Sequence, residues 1–284
     1  MSFLDRIRAC QVFDSAAHLP FIVAGHSVGH VRPAFAERLA GFPDVFEVGG
    51  GQVNLRPALA SADARTHAVD TVLRRLAGQG VIEGWKEEAY SVTPACGAPI
   101  LLTIDRSAAP LLGIRACGVH LNGFVRKGGE IHMWIGRRSL DKRIAPGKLD
   151  QIVAGGQPAG LGVRENLLKE AEEEASMPAA LAAAAIPVGI ITYRTERAEG
   201  LRNDVLYLYD LELPASFVPV NGDGELVGFE LWPLEAVAAR VRDTDDFKFN
   251  CSLVVIDFLI RHGYIGPDHP DYLSLCTGLR SVGT

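Results

Sequence analysis

The sequence has few cysteines, and none of them forms a closely spaced pair. Five cysteines are scattered over 284 residues, and no Cys-x-x-Cys motif occurs. An odd number of widely separated thiols argues against a disulfide framework and gives no zinc-binding spacing. We therefore expect reduced thiols, as in a cytoplasmic protein.

Long apolar runs and an excess of basic residues are also absent. No segment approaches the ~20 apolar residues that a membrane span needs, and the N-terminus has no apolar core long enough for a signal peptide. The formal net charge is -6, whereas nucleic-acid binding favours a basic face. We expect a cytoplasmic protein with neither a membrane nor a nucleic acid as partner. No pattern specifies an oligomeric state.

The length predicts two folded units. A chain of 284 residues exceeds one average domain of ~100 to 200 residues. Regular alternation of apolar and polar residues begins near Val119 and continues to Val125, which is typical of a strand. We place an N-terminal domain of mixed α and β structure at residues 1–115 and a second domain at residues 116–284.

The segment from Gly155 to Met177 is the most informative one, because it places three acids at helical spacing. At about 100° per residue, Glu170, Glu173 and Glu174 share one arc of roughly 100°. Like charges at i and i+4 destabilise a helix, and a bound cation would reverse that penalty. Mg²⁺ accepts one or two carboxylates and completes its octahedron with water and phosphate oxygens. The spacing favours a divalent-cation site over the alternative of a solvated acidic face.

The same residues resemble the Nudix box of MutT-like hydrolases. That box is a Gly, five residues, a Glu, seven residues, Arg-Glu, an aliphatic residue, any residue, Glu-Glu, any residue, a Gly and an aliphatic residue. The residues at its spacing are Gly155, Lys169, Glu170, Glu173 and Glu174. The departures are Leu161 in place of the first Glu, Lys169 in place of Arg, and Ser176 in place of Gly. Lys offers a point charge where the box Arg offers a fork.

The flanking sequence resembles one Nudix branch, the one related to the domain fused to fungal thiamine pyrophosphokinase. The segments that carry this resemblance are His120–Phe124, Met133–Ser139 and Asp141–Asp150. The N-terminal domain resembles the module of unknown function that accompanies the branch. Members are implicated in hydrolysing diphosphates of thiamine and its oxidised analogues to monophosphates. The resemblance implies an α+β fold, in which a Nudix αβα sandwich with a mixed sheet follows the smaller N-terminal domain.

The resemblance also implies a metal-assisted hydrolysis. Its cofactor is Mg²⁺, with Mn²⁺ as an alternative, and water attacks phosphorus in line. The groups implied to hold the metal are the Gly155 carbonyl and the carboxylates of Glu170, Glu173 and Glu174. Lys169 completes the implied catalytic set at the position of the box Arg. The candidates for the base that accepts the proton of water are Glu225 and Glu230.

Basic residues cluster just before the box, and they predict a phosphate-binding surface, since guanidinium and ammonium groups suit phosphate oxygens. The candidates are Arg137, Arg138, Lys142 and Lys148. The predicted partner is a small organic diphosphate, with thiamine diphosphate or an oxidised analogue favoured. Two alternatives are a pyrophosphatase acting on nucleoside-diphosphate derivatives and a non-catalytic Nudix-fold module that binds a ligand.

Two local predictions assign polar residues to connecting or capping positions. The segment from Arg194 to Asp204 is predicted to be a polar loop between two strands. Asn250 is predicted to cap a helix that runs from Cys251 to Arg261.

Overall fold

The computed structural model describes residues 1–281, whose buried apolar side chains form three clusters. One cluster lies within the N-terminal part of the chain. The other two cover the opposite faces of a seven-stranded sheet in the C-terminal part.

The N-terminal part contains a four-stranded and a two-stranded sheet. Its strands are β1 Leu19–Val23, β2 His26–Val31, β3 Phe46–Gly49, β4 Gln52–Leu55, β5 Ala89–Val92 and β6 Leu102–Asp105. The larger sheet has the order β2-β1-β4-β3, in which only β1 and β4 are parallel. The helices are α1 Phe3–Arg8, α2 Pro33–Ala40, α3 Ala62–Gly78 and α4 Ala109–Leu112, with 3-10 turns at Ser15–Ala17 and Arg106–Ala108.

Helix α1 does not pack with the rest of the N-terminal part. Phe3 and Ile7 are buried in the cluster that contains the C-terminal helices. A capping box between Ser2 and Asp5 stabilises the start of this helix. The predicted domain of residues 1–115 therefore includes one helix that contributes to the core of the C-terminal part.

The C-terminal part is built on a mixed sheet. Its strands are β7 Arg115–Lys127, β8 Glu130–Arg138, β9 Leu149–Asp150, β10 Val153–Gly156, β11 Ile186–Arg197, β12 Gly200–Glu212 and β13 Leu226–Pro233. The main order is β11-β12-β7-β8-β13, while β10 pairs with β7 and β9 pairs with β8. Only β12 and β7 are parallel. The helices are α5 Val163–Ala175, α6 Ala179–Ala182, α7 Leu234–Asp243, α8 Phe249–Arg261 and α9 Tyr272–Gly278.

Helices cover both faces of this sheet. Helix α5 packs Leu167 and Ala171 against the cluster that contains Val119 and Leu121 of β7. Helices α7 and α8 cover the other face, together with α1 and α9. The predicted α+β class and αβα sandwich are confirmed. Within residues 1–281, the helices are too short or too polar to traverse a bilayer.

Two local predictions were wrong, for related reasons. The predicted loop from Arg194 to Asp204 is paired strand, because β11 continues to Arg197 and β12 starts at Gly200. Asp204 of this segment is buried and accepts from Arg202 at 2.8 Å. Asn250 is not a cap, because α8 already starts at Phe249 and buries the Asn250 side chain within its first turn.

Candidate active site

Helix α5 presents the three predicted acids at different depths. Glu174 is 6% exposed, the Glu170 side chain is mostly buried, and the Glu173 side chain is about half exposed. The backbone N–H of Ala154 donates to Oε2 of Glu174 at 2.7 Å. This bond fixes the C-terminal half of α5 against strand β10, where the box glycine lies.

Gly155 lets the carboxylate of Glu170 lie directly against the strand. A Cβ atom at Gly155 would come within 2.2 Å of Cδ and 2.5 Å of Oε2 of Glu170. A side chain at this position would displace the Glu170 carboxylate, so glycine permits this close approach. The structure thus brings together the Gly155 backbone, Glu170 and Glu174.

The surrounding protein does not favour the ionised forms of the two inner acids. Burial raises the pKa of Glu174 to about 8; the hydrogen bond from Ala154 opposes this rise, and the charges of Glu170 and Glu225 add to it. Burial also raises the pKa of Glu170, against the charge of Lys169. A divalent cation would remove this repulsion, so the residues present fit a metal ion.

The loop before β13 adds two acids to this group. Carboxylate oxygens of Glu174, Asp223 and Glu225 lie within 4.8 Å of one another. The loop is held against the end of α5 by a hydrogen bond from the Val220 N–H to the Ala175 carbonyl, at 3.1 Å. Glu225, one of the two predicted bases, is therefore at the site, and Asp223 joins it without having been predicted.

Lys169 and Glu230 have clearly different surroundings. Nζ of Lys169 lies 2.5 Å from Oε2 of Glu173 and 3.3 Å from Oε1 of Glu170. Lys169 therefore lies beside the acids. Glu230 is exposed on β13, where it accepts a hydrogen bond from Nε1 of Trp232 at 2.9 Å. No contact brings Glu230 to the box acids within residues 1–281.

The side chains of the four predicted phosphate-binding residues have different partners. Lys142 forms an ion pair with Glu225 and so lies at the site. Arg137 is exposed, with its closest polar contact at the Gly147 carbonyl, and Lys148 donates to the Asp245 carbonyl at 2.6 Å. These three side chains are near the surface.

Arg138 points inward instead. Its Nη1 donates to Oδ2 of Asp150 at 2.9 Å, and its other donors reach the carbonyls of Ile144 and Ala145. A phosphate contact by Arg138 would require it to leave these partners. In this structure it holds the loop after β8 onto Asp150.

A cavity opens beside Gly155 and Gly156, on the α8 face of the sheet. Its floor includes His120 and Asn250, and its wall includes Tyr90 and Arg106 from the N-terminal part. His120 belongs to the segment His120–Phe124, which carries part of the family resemblance, but no local sequence pattern predicted that it lines a cavity. Tyr90 and Arg106 come from distant sequence with no catalytic spacing, so only the folded chain reveals them.

A second group with metal-ligand atoms lies beneath this cavity, formed by His120, Asp150 and Cys251. Asp150 already has two cationic partners, since Nη1 of Arg138 lies 2.9 Å and Nζ of Lys248 lies 3.6 Å from its Oδ2. Burial raises the pKa of the Cys251 thiol well above its usual range. A further cation is not favoured next to two positive side chains, so this group is structural.

Comparisons with known proteins agree with the box and with the N-terminal resemblance. The family described as "Domain of unknown function (DUF4743)" matches residues 2–116. Nudix hydrolase 24, chloroplastic, from Arabidopsis thaliana is 44% identical over 283 residues, which are 98% of this chain and 78% of the relative. Nudix hydrolase 20, chloroplastic, from the same plant is 41% identical over 290 residues, with the same two shares.

Among solved structures, DR0079 from Deinococcus radiodurans aligns with a TM-score of 0.45 and 22% identity, covering 59% of this chain and 97% of that one. The two Arabidopsis relatives carry the assignment, because they align over almost the whole chain at more than 40% identity. With the box acids gathered at its glycine, the chain belongs to the Nudix hydrolase family.

Proposed function

We propose that this protein is a Mg²⁺-dependent diphosphatase that hydrolyses an organic diphosphate to its monophosphate. The observation that carries the proposal is that Glu170 lies against the backbone of Gly155, while Glu174, which accepts from the Ala154 N–H, lies close to Glu225. Mg²⁺, or Mn²⁺, supplies Lewis-acid charge and lowers the pKa of an attacking water when it is bound at such a site.

The residues of the chain have separate roles in this proposal. The groups that would hold the metal are the Gly155 carbonyl and the carboxylates of Glu170, Glu173 and Glu174. Lys169 keeps Glu173 and Glu170 in place through its two contacts. Glu225 accepts the proton of the attacking water, because it combines nearness to Glu174 with a pKa lowered below its usual range by Lys142 in spite of burial. Its carboxylate is therefore ionised at neutral pH.

The proposal includes a substrate whose organic part carries a hydrogen-bonding heterocycle. Nε2 of Gln151 donates to the Cys251 carbonyl at 3.0 Å, so Oε1 of Gln151 faces Nδ1 of His120, also at 3.0 Å. Because an amide oxygen can only accept, Nδ1 carries the proton and Nε2 keeps its lone pair. Burial lowers the pKa of His120 to about 4, which keeps the ring neutral.

His120 thus offers an acceptor to whatever occupies the cavity. It is 3% exposed, it lines the cavity, and no residue within 1–281 donates to its Nε2. A ring with an amino group or an N–H fits this acceptor, and Asn250 stands beside it with both a donor and an acceptor. An aminopyrimidine such as that of thiamine has the required chemistry. This supports thiamine diphosphate, or an oxidised analogue, as the substrate.

We expect turnover of a thiamine-type diphosphate to require added Mg²⁺ or Mn²⁺. The test incubates the full chain with thiamine diphosphate, oxidised thiamine diphosphates and ADP-ribose, and measures monophosphate products chromatographically. Activity should disappear with a chelator and return with excess Mg²⁺. Faster turnover of ADP-ribose would favour nucleoside-diphosphate derivatives, whereas binding without turnover of any diphosphate would favour a ligand-binding module.

Two substitutions at His120 should separate recognition from folding. His120→Asn keeps a donor near Gln151 but removes the acceptor at Nε2, while His120→Gln places an amide oxygen near the Nε2 position. We expect His120→Asn to raise KM for the organic diphosphate about tenfold, the value of one hydrogen bond of ~1.4 kcal/mol. His120→Gln should retain more of the affinity.

Inorganic pyrophosphate provides the internal control for these two variants, since it has no heterocycle. Its inhibition constant should be the same in both variants and in the unsubstituted protein. Equal KM values for the organic substrate in His120→Asn and His120→Gln would contradict the assigned role of the Nε2 acceptor.

Action in a reducing compartment such as the cytoplasm is part of the proposal. It is supported by the cysteines, all of which are free thiols. Two of them, Cys10 and Cys251, are buried in the core, and the Cys251 thiol donates to Oδ1 of Asp150 at 2.7 Å.

A further inference from the structure

The N-terminal part of the chain touches the box loop directly. The Ala159 N–H, in the loop between β10 and α5, donates to the Ala89 carbonyl of β5 at 2.7 Å. A Cβ atom at Gly156 would lie 1.9 Å from Oη of Tyr90, the next residue of β5. Gly156, the residue after the box glycine, therefore leaves room for the Tyr90 side chain of the N-terminal part.

Arg106 follows β6 and lies at the same contact. Its Cζ would be 3.3 Å from a Cβ atom at Gly156, and its guanidinium lies 5.8 Å from the centre of the Tyr90 ring. Arg106 also lines the cavity that His120 faces. One cationic side chain from the N-terminal part thus lies beside Gly156 and lines the cavity.

The turn that carries Arg106 is rigidly held. Asp105 is buried, and its Oδ1 accepts from the N–H of Ser107 at 2.8 Å and from the Ser107 hydroxyl at 2.5 Å. The Arg106 N–H donates to the Glu88 carbonyl, also at 2.8 Å. This network fixes the backbone of the 3-10 turn that carries Arg106.

The guanidinium of Arg106 keeps donors for a ligand. Its Nη1 binds Oε2 of Glu88 at 2.8 Å, whereas its Nε and Nη2 have no hydrogen-bond partner among residues 1–281. The side chain is 45% exposed, although it lies at a cavity wall. A guanidinium with two free donors matches the oxygens of a phosphate group.

The other cations at this cavity are already engaged. Arg202 donates to Asp204 at 2.8 Å, and Lys248 lies 3.6 Å from Asp150. Both of those carboxylates are buried, which makes their ion pairs costly to break. Arg106 differs from them because its partner Glu88 occupies only one of its nitrogens.

We propose that the N-terminal domain is part of the active site and that Arg106 binds a phosphate group of the substrate beside Gly155 and Gly156. This deepens the proposed function and rests on it. The domain also holds the box loop through the bond from Ala159 to Ala89. The N-terminal domain, which had no assigned role, thereby supplies one wall of the substrate pocket and a residue that binds phosphate.

Substitution of Arg106 in the full chain tests this assignment. We expect Arg106→Ala to raise KM for the organic diphosphate about 10- to 100-fold, the range for a hydrogen bond to a charged group, with a smaller effect on kcat. The KM of Arg106→Lys should lie between those of Arg106→Ala and the unsubstituted protein, because Lys keeps the positive charge but cannot form two parallel hydrogen bonds. Added methylguanidinium should partly restore Arg106→Ala.

The matched control is Arg38→Ala, which removes an exposed arginine of the same domain, on α2, and should leave KM unchanged. Unchanged KM in Arg106→Ala would overturn the inference. A loss of activity accompanied by a lower melting temperature, without rescue by methylguanidinium, would assign Arg106 a structural role and overturn it too.

Failure of the proposed function can be recognised separately. If the unsubstituted protein turns over no diphosphate, the proposed function fails. The affinity for inorganic pyrophosphate, measured by calorimetry, then decides the present inference. If Arg106→Ala binds pyrophosphate more weakly than Arg38→Ala does, Arg106 binds phosphate. Equal affinities of the two variants overturn the inference.

Discussion

Replacing Glu174 with Gln is expected to lower the turnover of an organic diphosphate by about 10³-fold while the protein stays folded. Glu174 is buried beside Gly155, and its Oε2 already accepts from the Ala154 N–H. Gln keeps the shape of the side chain and removes the charge that would bind a divalent metal. Since such a metal contributes several kcal/mol to transition-state stabilisation, and 1.36 kcal/mol corresponds to a tenfold rate change, about three powers of ten follow.

The control for this variant lies on the same helix. Glu172 is exposed on α5 and has no side-chain hydrogen bond within residues 1–281, so Glu172→Gln makes the same chemical change away from the site. Initial rates should be measured at saturating Mg²⁺ for both variants, with circular dichroism as the check on folding. Near-normal rates for Glu174→Gln would refute the metal-site assignment.

The folding of Glu174→Gln should itself be informative. Burial and neighbouring acids raise the pKa of Glu174 to about 8 in the folded, metal-free protein. At neutral pH the side chain is therefore mostly protonated in the folded state and ionised in the unfolded state, which lowers the free energy of unfolding. Gln ionises in neither state, so Glu174→Gln should leave the metal-free protein at least as stable as before. A metal ligand that costs stability in the free protein is expected at a site formed for binding.

Sequence spacing predicted the centre of the site because those residues lie on one helix. Glu170, Glu173 and Glu174 have a fixed relation once α5 forms, and Gly155 precedes them by a short connection. The sequence predicted Glu225 only as one of two candidate bases. Its selection over Glu230 depends on how the loop before β13 folds back onto the end of α5.

The rest of the pocket was beyond prediction because long-range packing creates it. Arg202 and Asp204 were assigned to a loop for their polarity, yet they pair with each other within β12. Hydrophobic alternation cannot signal a buried ion pair, since both side chains look suited to solvent. Arg106 reaches the box through contacts between domains that no local pattern encodes.

Asp150→Asn is expected to destabilise the protein by about 3 to 5 kcal/mol, the usual cost of removing one partner from a buried ion pair. Asp150 is 2% exposed and lies close to both Arg138 and Lys248. Although burial alone would raise its pKa, the charges of Lys248 and Arg138 outweigh this and lower the pKa to about 2. Asp150 is therefore ionised at neutral pH, and its removal leaves two buried positive groups without compensation.

Urea unfolding followed by circular dichroism should measure this loss, with Asp44→Asn as the control because Asp44 is exposed and lacks a side-chain hydrogen bond within residues 1–281. An unfolding free energy for Asp150→Asn close to that of Asp44→Asn would contradict the expected loss.

Arg138→Met then decides between two roles for the arginine that the sequence assigned to phosphate. If Arg138 acts through Asp150, as its buried contacts indicate, Arg138→Met should destabilise the protein and combine non-additively with Asp150→Asn, since the two residues are in contact. If Arg138 binds phosphate instead, Arg138→Met should raise KM with little change in stability. The geometry favours the first outcome, because phosphate binding would first have to break the ion pair with Asp150.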